Sequence, residues 1–165
     1  MKIAIIYTTS NKSTKKSCNI LADKINGDVK LVSVKNAKTE CILKYDFIIL
    51  AASTINGKVQ SELKIYISRN IKTLKDKPIA LITNCEENKN MFNKAFTEEL
   101  VNESCIASNF GYELNCDEGN YIEKVKTKRL IQKYQDENKD LPSLNLTEID
   151  KFANYINDMI EKRVD

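Results

Sequence analysis

Histidine and tryptophan are absent from the 165 residues, and there are only two prolines and four glycines. Without histidine there is no imidazole general base, no Ser-His or Cys-His dyad, and little prospect of a zinc or haem site. With so few glycines, neither G-x-x-x-x-G-K-[ST] nor G-x-G-x-x-G occurs, which excludes the Walker and dinucleotide phosphate loops. The five cysteines (18, 41, 85, 105, 116) are odd in number and lack C-x-x-C spacing, so reduced thiols are expected rather than a disulfide framework or a metal site. Long apolar runs are also missing. Residues 3–7 and 47–52 are the longest, far below the ~20 residues that cross a bilayer. The opening residues run straight into a strand-like segment without a signal-peptide pattern, and a cytoplasmic location is the expectation.

What is present reads as one globular domain, 42% hydrophobic and 30% charged, with 26 Lys+Arg against 23 Asp+Glu. Residues 3–7 form a continuous β-favouring run, as expected of a strand covered on both faces. Seven polar residues follow (8–14). Cys18, Leu21, Ala22 and Ile25 then recur on one helical face, and Gly27 is positioned to take a left-handed cap. Further strands are expected over 29–34, 46–53, 79–83 and 105–112. Further helices are expected from Gly57, over 88–101 and near the end, where Thr147 to Asp150 reads as a capping box. Strands alternating with helices imply an α/β three-layer sandwich: a five-stranded parallel sheet in order 2-1-3-4-5, with helices on both faces. Residues 117–142, with Lys124, Lys126, Lys128, Arg129 and Lys133, break the alternation and read as an inserted helix and loop near the carboxyl end of the sheet.

In such a sheet, ligands bind beyond the strands' carboxyl ends where the strand order reverses. The loop there carries five hydroxyls, Thr8, Thr9, Ser10, Ser13 and Thr14, next to a helix N-terminus. Free backbone N–H groups and the helix dipole favour an anion at that point, and Lys12, Lys15 and Lys16 add positive field. A helix cap needs one or two hydroxyls. Five in seven residues points to phosphate.

This strand and loop resemble the flavodoxin phosphate loop. Residues 45–57 are similar to that family's third strand and first flavin-flanking loop. Residues 108–114, with Phe110, Gly111, Tyr112, Glu113 and Leu114, resemble a turn of the branch related to menaquinone-dependent protoporphyrinogen oxidase. The resemblance implies FMN. Thr8, Thr9, Ser10, Asn11, Ser13 and Thr14 would hold its phosphate. Ser53, Thr54, Ile55, Asn56 and Gly57 would line one side of the ring, and Asn84, Cys85 and Glu86 would approach from the next strand's end. Cys85 also reads as a buried, inert thiol. Two residues depart from the family pattern: Lys12 stands where a glycine is usual, and Asn56 where an aromatic residue often stacks on the ring.

The resemblance therefore implies a flavin-dependent oxidoreductase with a redox partner or quinone-type acceptor. The alternatives are a small electron carrier, against which the basic balance counts, or a degenerate binding module with weak flavin affinity. A response-regulator receiver is excluded, because the acidic residues it needs after its first and third strands are missing. No metal and no nucleic acid is expected. The Lys-rich stretch reads as a solvated helix face, or else as a contact with anionic lipid headgroups (a peripheral membrane contact) or with an acidic partner.

Overall fold

The computed structural model describes residues 1–8, 12–37, 42–55, 58–85, 91–116 and 121–162. The alternating pattern folds as β1 (Lys2–Tyr7), α1 (Ser13–Lys24), β2 (Asp28–Ser33), β3 (Phe47–Ile55), β4 (Lys58–Val59), α2 (Ser61–Lys75) and β5 (Ile79–Asn84). It continues through α3 (Met91–Ala95), α4 (Glu98–Glu103), β6 (Ile106–Asn109), α5 (Tyr121–Asp136) and α6 (Leu146–Glu161). The main sheet is parallel, in order β2-β1-β3-β5-β6, while β4 is a two-residue antiparallel ribbon on β3. Leaving that ribbon out, the order is the expected 2-1-3-4-5.

Continuous apolar runs are possible in β1, β3 and β5 because both faces of the sheet are covered. Along each strand, successive residues point to opposite layers. Ala4, Ile6, Ile48, Leu50, Ile79 and Leu81 pack against Leu63, Tyr66 and Ile67 of α2 and Leu100 of α4. Ile3, Ile5, Phe47, Ile49, Ala80 and Ile82 pack against Cys18 and Leu21 of α1 and against Ile149, Phe152 and Ile156 of α6. The α1–α6 seam is fastened at its rim, where Asn157 Oδ1 accepts from Asn26 N (2.8 Å) and its Nδ2 donates to Lys24 O (2.9 Å).

Several sequence expectations shift. The helix expected from Gly57 starts at Ser61, because Val59 pairs with Thr54, and Lys58 with Ile55, in the ribbon. Residues 88–90 of the helix expected over 88–101 lie outside the described residues, and the rest forms two short helices, divided where the Thr97 side chain accepts from Leu100 N and caps α4. The fifth strand ends at Asn109, three residues early. The cap of α6 is Asn145, whose Oδ1 accepts from Glu148 N (3.1 Å), so Thr147 lies inside the first turn. Helix α1 ends with Ile25 in an extended conformation, and Gly111 is the only described glycine with positive φ, so Gly27 forms no left-handed cap. The inserted segment does contain a helix, α5, and none of its described side chains is fully buried. Among the described residues, no helix is long and apolar enough to cross a membrane.

Candidate functional site

The crevice lies at the carboxyl ends of β1, β3, β5 and β6. Thr8 sets its width. Its backbone N–H donates to Ala51 O (3.1 Å) and its Oγ1 accepts from Ser53 N (3.3 Å), so the exits of β1 and β3 are joined. Both residues are buried. On the next strand, Asn84 is a buried junction. Its Oδ1 accepts from Ser17 Oγ (3.1 Å) and its Nδ2 donates to Gly111 O (2.9 Å). Ser17 Oγ also lies 2.9 Å from Thr14 O, so the first turn of α1 is tied through Asn84 to the turn after β6. A second link joins the same two segments. Ser13 Oγ accepts from Glu113 N (3.0 Å), and Lys16 Nζ sits 2.7 Å from the Glu113 carboxylate.

The floor continues through Asn109. Its Oδ1 accepts from Cys85 N (3.3 Å) and Gly111 N (3.2 Å), and its Nδ2 donates to Cys85 O (3.2 Å). The Cys85 thiol lies 3.6 Å from the same Oδ1 and is buried. Cys18 lies under α1 with no exposed surface, and burial pushes its thiol up to about 12. The described cysteines 18, 85, 105 and 116 are all free thiols.

In this otherwise paired floor, two fully buried hydroxyls, Thr14 Oγ1 and Thr83 Oγ1, have no hydrogen-bond partner among the described residues. A buried unpaired hydroxyl costs ~1–3 kcal/mol, so each calls for a partner, whether an ordered water or a ligand. Thr14 lies in the first turn of α1. That turn carries no acidic residue of its own, and Lys12, Lys15 and Lys16 add positive charge to it, Lys16 being paired with Glu113. Cations at the positive end of a helix dipole repel it, and a bound anion would reverse the balance.

Lys12 enters α1 with φ 59° and ψ −5°, in the left-handed region. A residue with a Cβ is strained there by about 1–2 kcal/mol, and glycine is not. Lys12→Gly is accordingly expected to raise stability by ~1 kcal/mol, read as a higher urea midpoint at unchanged slope. An unchanged or lower midpoint would mean that the Lys12 side chain compensates for its backbone.

Of the sequence-derived candidates, Thr8, Ser53, Ser13, Thr14, Asn84 and Cys85 are brought to this one end of the sheet. Thr8 and Ser53 touch directly, and Thr54 and Ile55 carry β3 outward into the ribbon. Thr9, Ser10, Asn11, Asn56, Gly57 and Glu86 lie outside the described residues. Sequence reasoning did not single out Ser17 or Asn109. A serine among the buried positions of α1, four residues after Ser13, was the available signal for the first. Beyond the crevice, a cleft of about 910 Å³ opens between β6 and the start of α6, lined by Ser108, Tyr112, Tyr134, Leu144 and Glu148. The Glu148 carboxylate is held below its usual range by Lys151 and by Ser108, whose Oγ lies 3.0 Å away. A smaller cleft of about 390 Å³ runs along the outside of α1 past Lys12, Lys16 and Glu113. Neither cleft is the strand-end crevice itself; both border it.

A 2-1-3-4-5 parallel sheet whose first strand leads into a hydroxyl-bearing helix start defines a flavodoxin-like α/β protein. The family model of the flavodoxin domain matches residues 4–142, and the chain belongs to that family. Solved structures share the fold. A flavodoxin from the domain Archaea is 15% identical over 79% of this chain and 93% of its own, with a TM-score of 0.56. Oxidised Flavodoxin 2 from Bacillus cereus is 17% identical over 83% and 99%, with a TM-score of 0.53. Rubredoxin oxygen:oxidoreductase from Desulfovibrio gigas is 18% identical over 79% of this chain, with a TM-score of 0.53, and the match spans only 34% of that longer protein. No curated protein sequence matches.

Proposed function

We propose that the chain binds FMN in the strand-end crevice and works as a flavin-dependent oxidoreductase, of the kind related to menaquinone-dependent protoporphyrinogen oxidase. The observation that carries the cofactor is the fully buried Thr14 hydroxyl, which has no partner among the described residues, in the first turn of α1. That turn suits a phosphate: a hydroxyl donor, backbone N–H groups at a helix start, and Lys12 and Lys15 nearby, with Lys16 paired to Glu113. Thr8 and Ser53 would hold the two walls beside the ring at fixed separation, and Asn84 would keep the phosphate turn in register with the turn after β6. A bound flavin supplies one- or two-electron chemistry, and the chain's polar groups orient it and tune its potential.

The substrate side of the proposal rests on two features. The 910 Å³ cleft abuts Cys85 and Tyr112, beside the strand ends, and is large enough for a small planar molecule. The Phe110 to Leu114 turn, which prompted the likeness to the oxidase branch, is built into the site through Gly111 and Glu113. A quinone-type acceptor fits a cleft flanked by two tyrosines, Tyr112 and Tyr134, whose hydroxyls lie 3.1 Å apart. The free thiols of the four described cysteines suit a reducing, cytoplasmic compartment.

Titration of FMN against the protein tests the cofactor, with quenching of flavin fluorescence as the expected result. No quenching at high protein concentration would sink the claim. Thr14→Ala is expected to weaken FMN roughly tenfold or more, as for loss of a hydrogen bond to a charged group, while leaving riboflavin binding nearly unchanged. Equal losses for both ligands would remove the phosphate role from that turn. Turnover with a soluble quinone separates the oxidoreductase from a plain electron carrier.

A further inference from the structure

We propose that the outward face of α5 is a docking surface for an anionic lipid bilayer. Ile122, Lys126, Arg129 and Lys133 recur at i, i+4, i+7 and i+11, so they form one line along the helix, and all four are exposed. The line is about 16 Å long at 1.5 Å per residue. Lys128 is exposed on the same helix, and Tyr121 and Ile122 at its start are 81% and 63% exposed. Among the described residues, Lys126, Lys128 and Arg129 form no ion pair, and Lys133 has only a long contact, 3.8 Å, with Glu137.

The opposite side of α5 belongs to the protein. Leu130, Ile131 and Tyr134 are half-buried there, and the Tyr134 hydroxyl is 3.1 Å from that of Tyr112. That anchorage keeps the basic line facing outward. Cations this close repel one another, and an anionic surface would relieve that repulsion. A straight, flat row of cations matches a plane of headgroup phosphates. Ile122 ends the row and the exposed Tyr121 stands beside it, about 100° round the helix, and both suit the headgroup–acyl boundary, which accepts an amphipathic ring and an aliphatic chain. An acidic protein would meet the same charges, but nothing in it calls for an exposed Tyr-Ile pair at the tip.

Co-sedimentation of the full chain with vesicles tests this, and because it is run without flavin its outcome is independent of cofactor binding. Binding is expected to phosphatidylcholine vesicles containing phosphatidylglycerol and not to phosphatidylcholine alone. It should fall roughly tenfold as salt rises from about 0.05 to 0.5 M. A K126E/R129E/K133E variant should lose it, with helical content checked by circular dichroism. A K64E/R69E/K72E variant changes net charge equally on exposed positions of α2 and should keep it. Loss in both variants, retention in both, equal binding to neutral vesicles, or no binding to the anionic vesicles would overturn the proposal. Binding to soluble polyglutamate without vesicle binding would overturn it too, and would assign the face to an acidic protein.

Discussion

Gly111→Ala is expected to lower stability by about 3 kcal/mol, a melting temperature roughly 10 °C lower in a chain of this size. Gly111 has φ +66°, where an added Cβ costs ~1–2 kcal/mol in any surroundings. Here the surroundings add a clash. The Cβ would lie 2.5 Å from the Ser143 carbonyl oxygen, a backbone atom that no side-chain rotation can move. That backbone is itself fixed, because Gly111 bridges to Leu144 and Asn145 N donates to Phe110 O (2.9 Å). Gly111 also accepts from Asn84 and donates to Asn109, so the strain is transmitted to the crevice floor. A fall in FMN affinity should accompany the fall in melting temperature. An unchanged melt would show that the segment around Ser143 gives way at no cost.

Phe152→Ala should cost about 3–5 kcal/mol, the range for deleting a fully buried aromatic ring. Phe152 has no exposed surface and stands edge-on to Phe110, ring centroids 5.3 Å apart. Its removal leaves a void in the layer between α6 and the sheet and takes away the ring that supports Phe110, the residue leading into Gly111. Urea unfolding measures the loss, with Tyr155→Ala as the contrast. Tyr155 lies on the same helix but is 38% exposed, so its truncation should cost under about 1 kcal/mol. A similarly small loss at Phe152 would mean that α6 collapses into the space.

The strands were readable from sequence for a physical reason: a strand covered on both faces must be apolar throughout, and β1, β3 and β5 are. Helical periodicity was less informative. Met91, Phe92, Ala95, Phe96 and Leu100 keep their spacing across the break between α3 and α4, so the pattern could not reveal it, whereas Thr97 as a cap could. Val59 shares a period with Leu63 and Tyr66, so periodicity alone extends that helix back into the ribbon. The Asn-Gly pair at 56–57, flanked by β-favouring residues, is a hairpin signal, and it agrees with the Thr54–Val59 pairing. In the site, the hydroxyl-rich turn was visible because its residues are neighbours in the chain. The Asn84 junction was not, since its partners stand 67 and 27 residues away and no local pattern links them.

The two sides of the sheet are finished at different times as the chain is made. By residue 103 every described helix that covers the Ile6, Leu50 and Leu81 side has been synthesised. The side bearing Ile5, Phe47 and Ile82 has only α1 until α6, whose first core residue is Ile149, emerges. A growing chain thus carries one dressed face and one sticky face through nearly fifty residues of elongation. Sealing the second face is a late, long-range step, and it is the step at which an unfinished copy is most exposed to association with another.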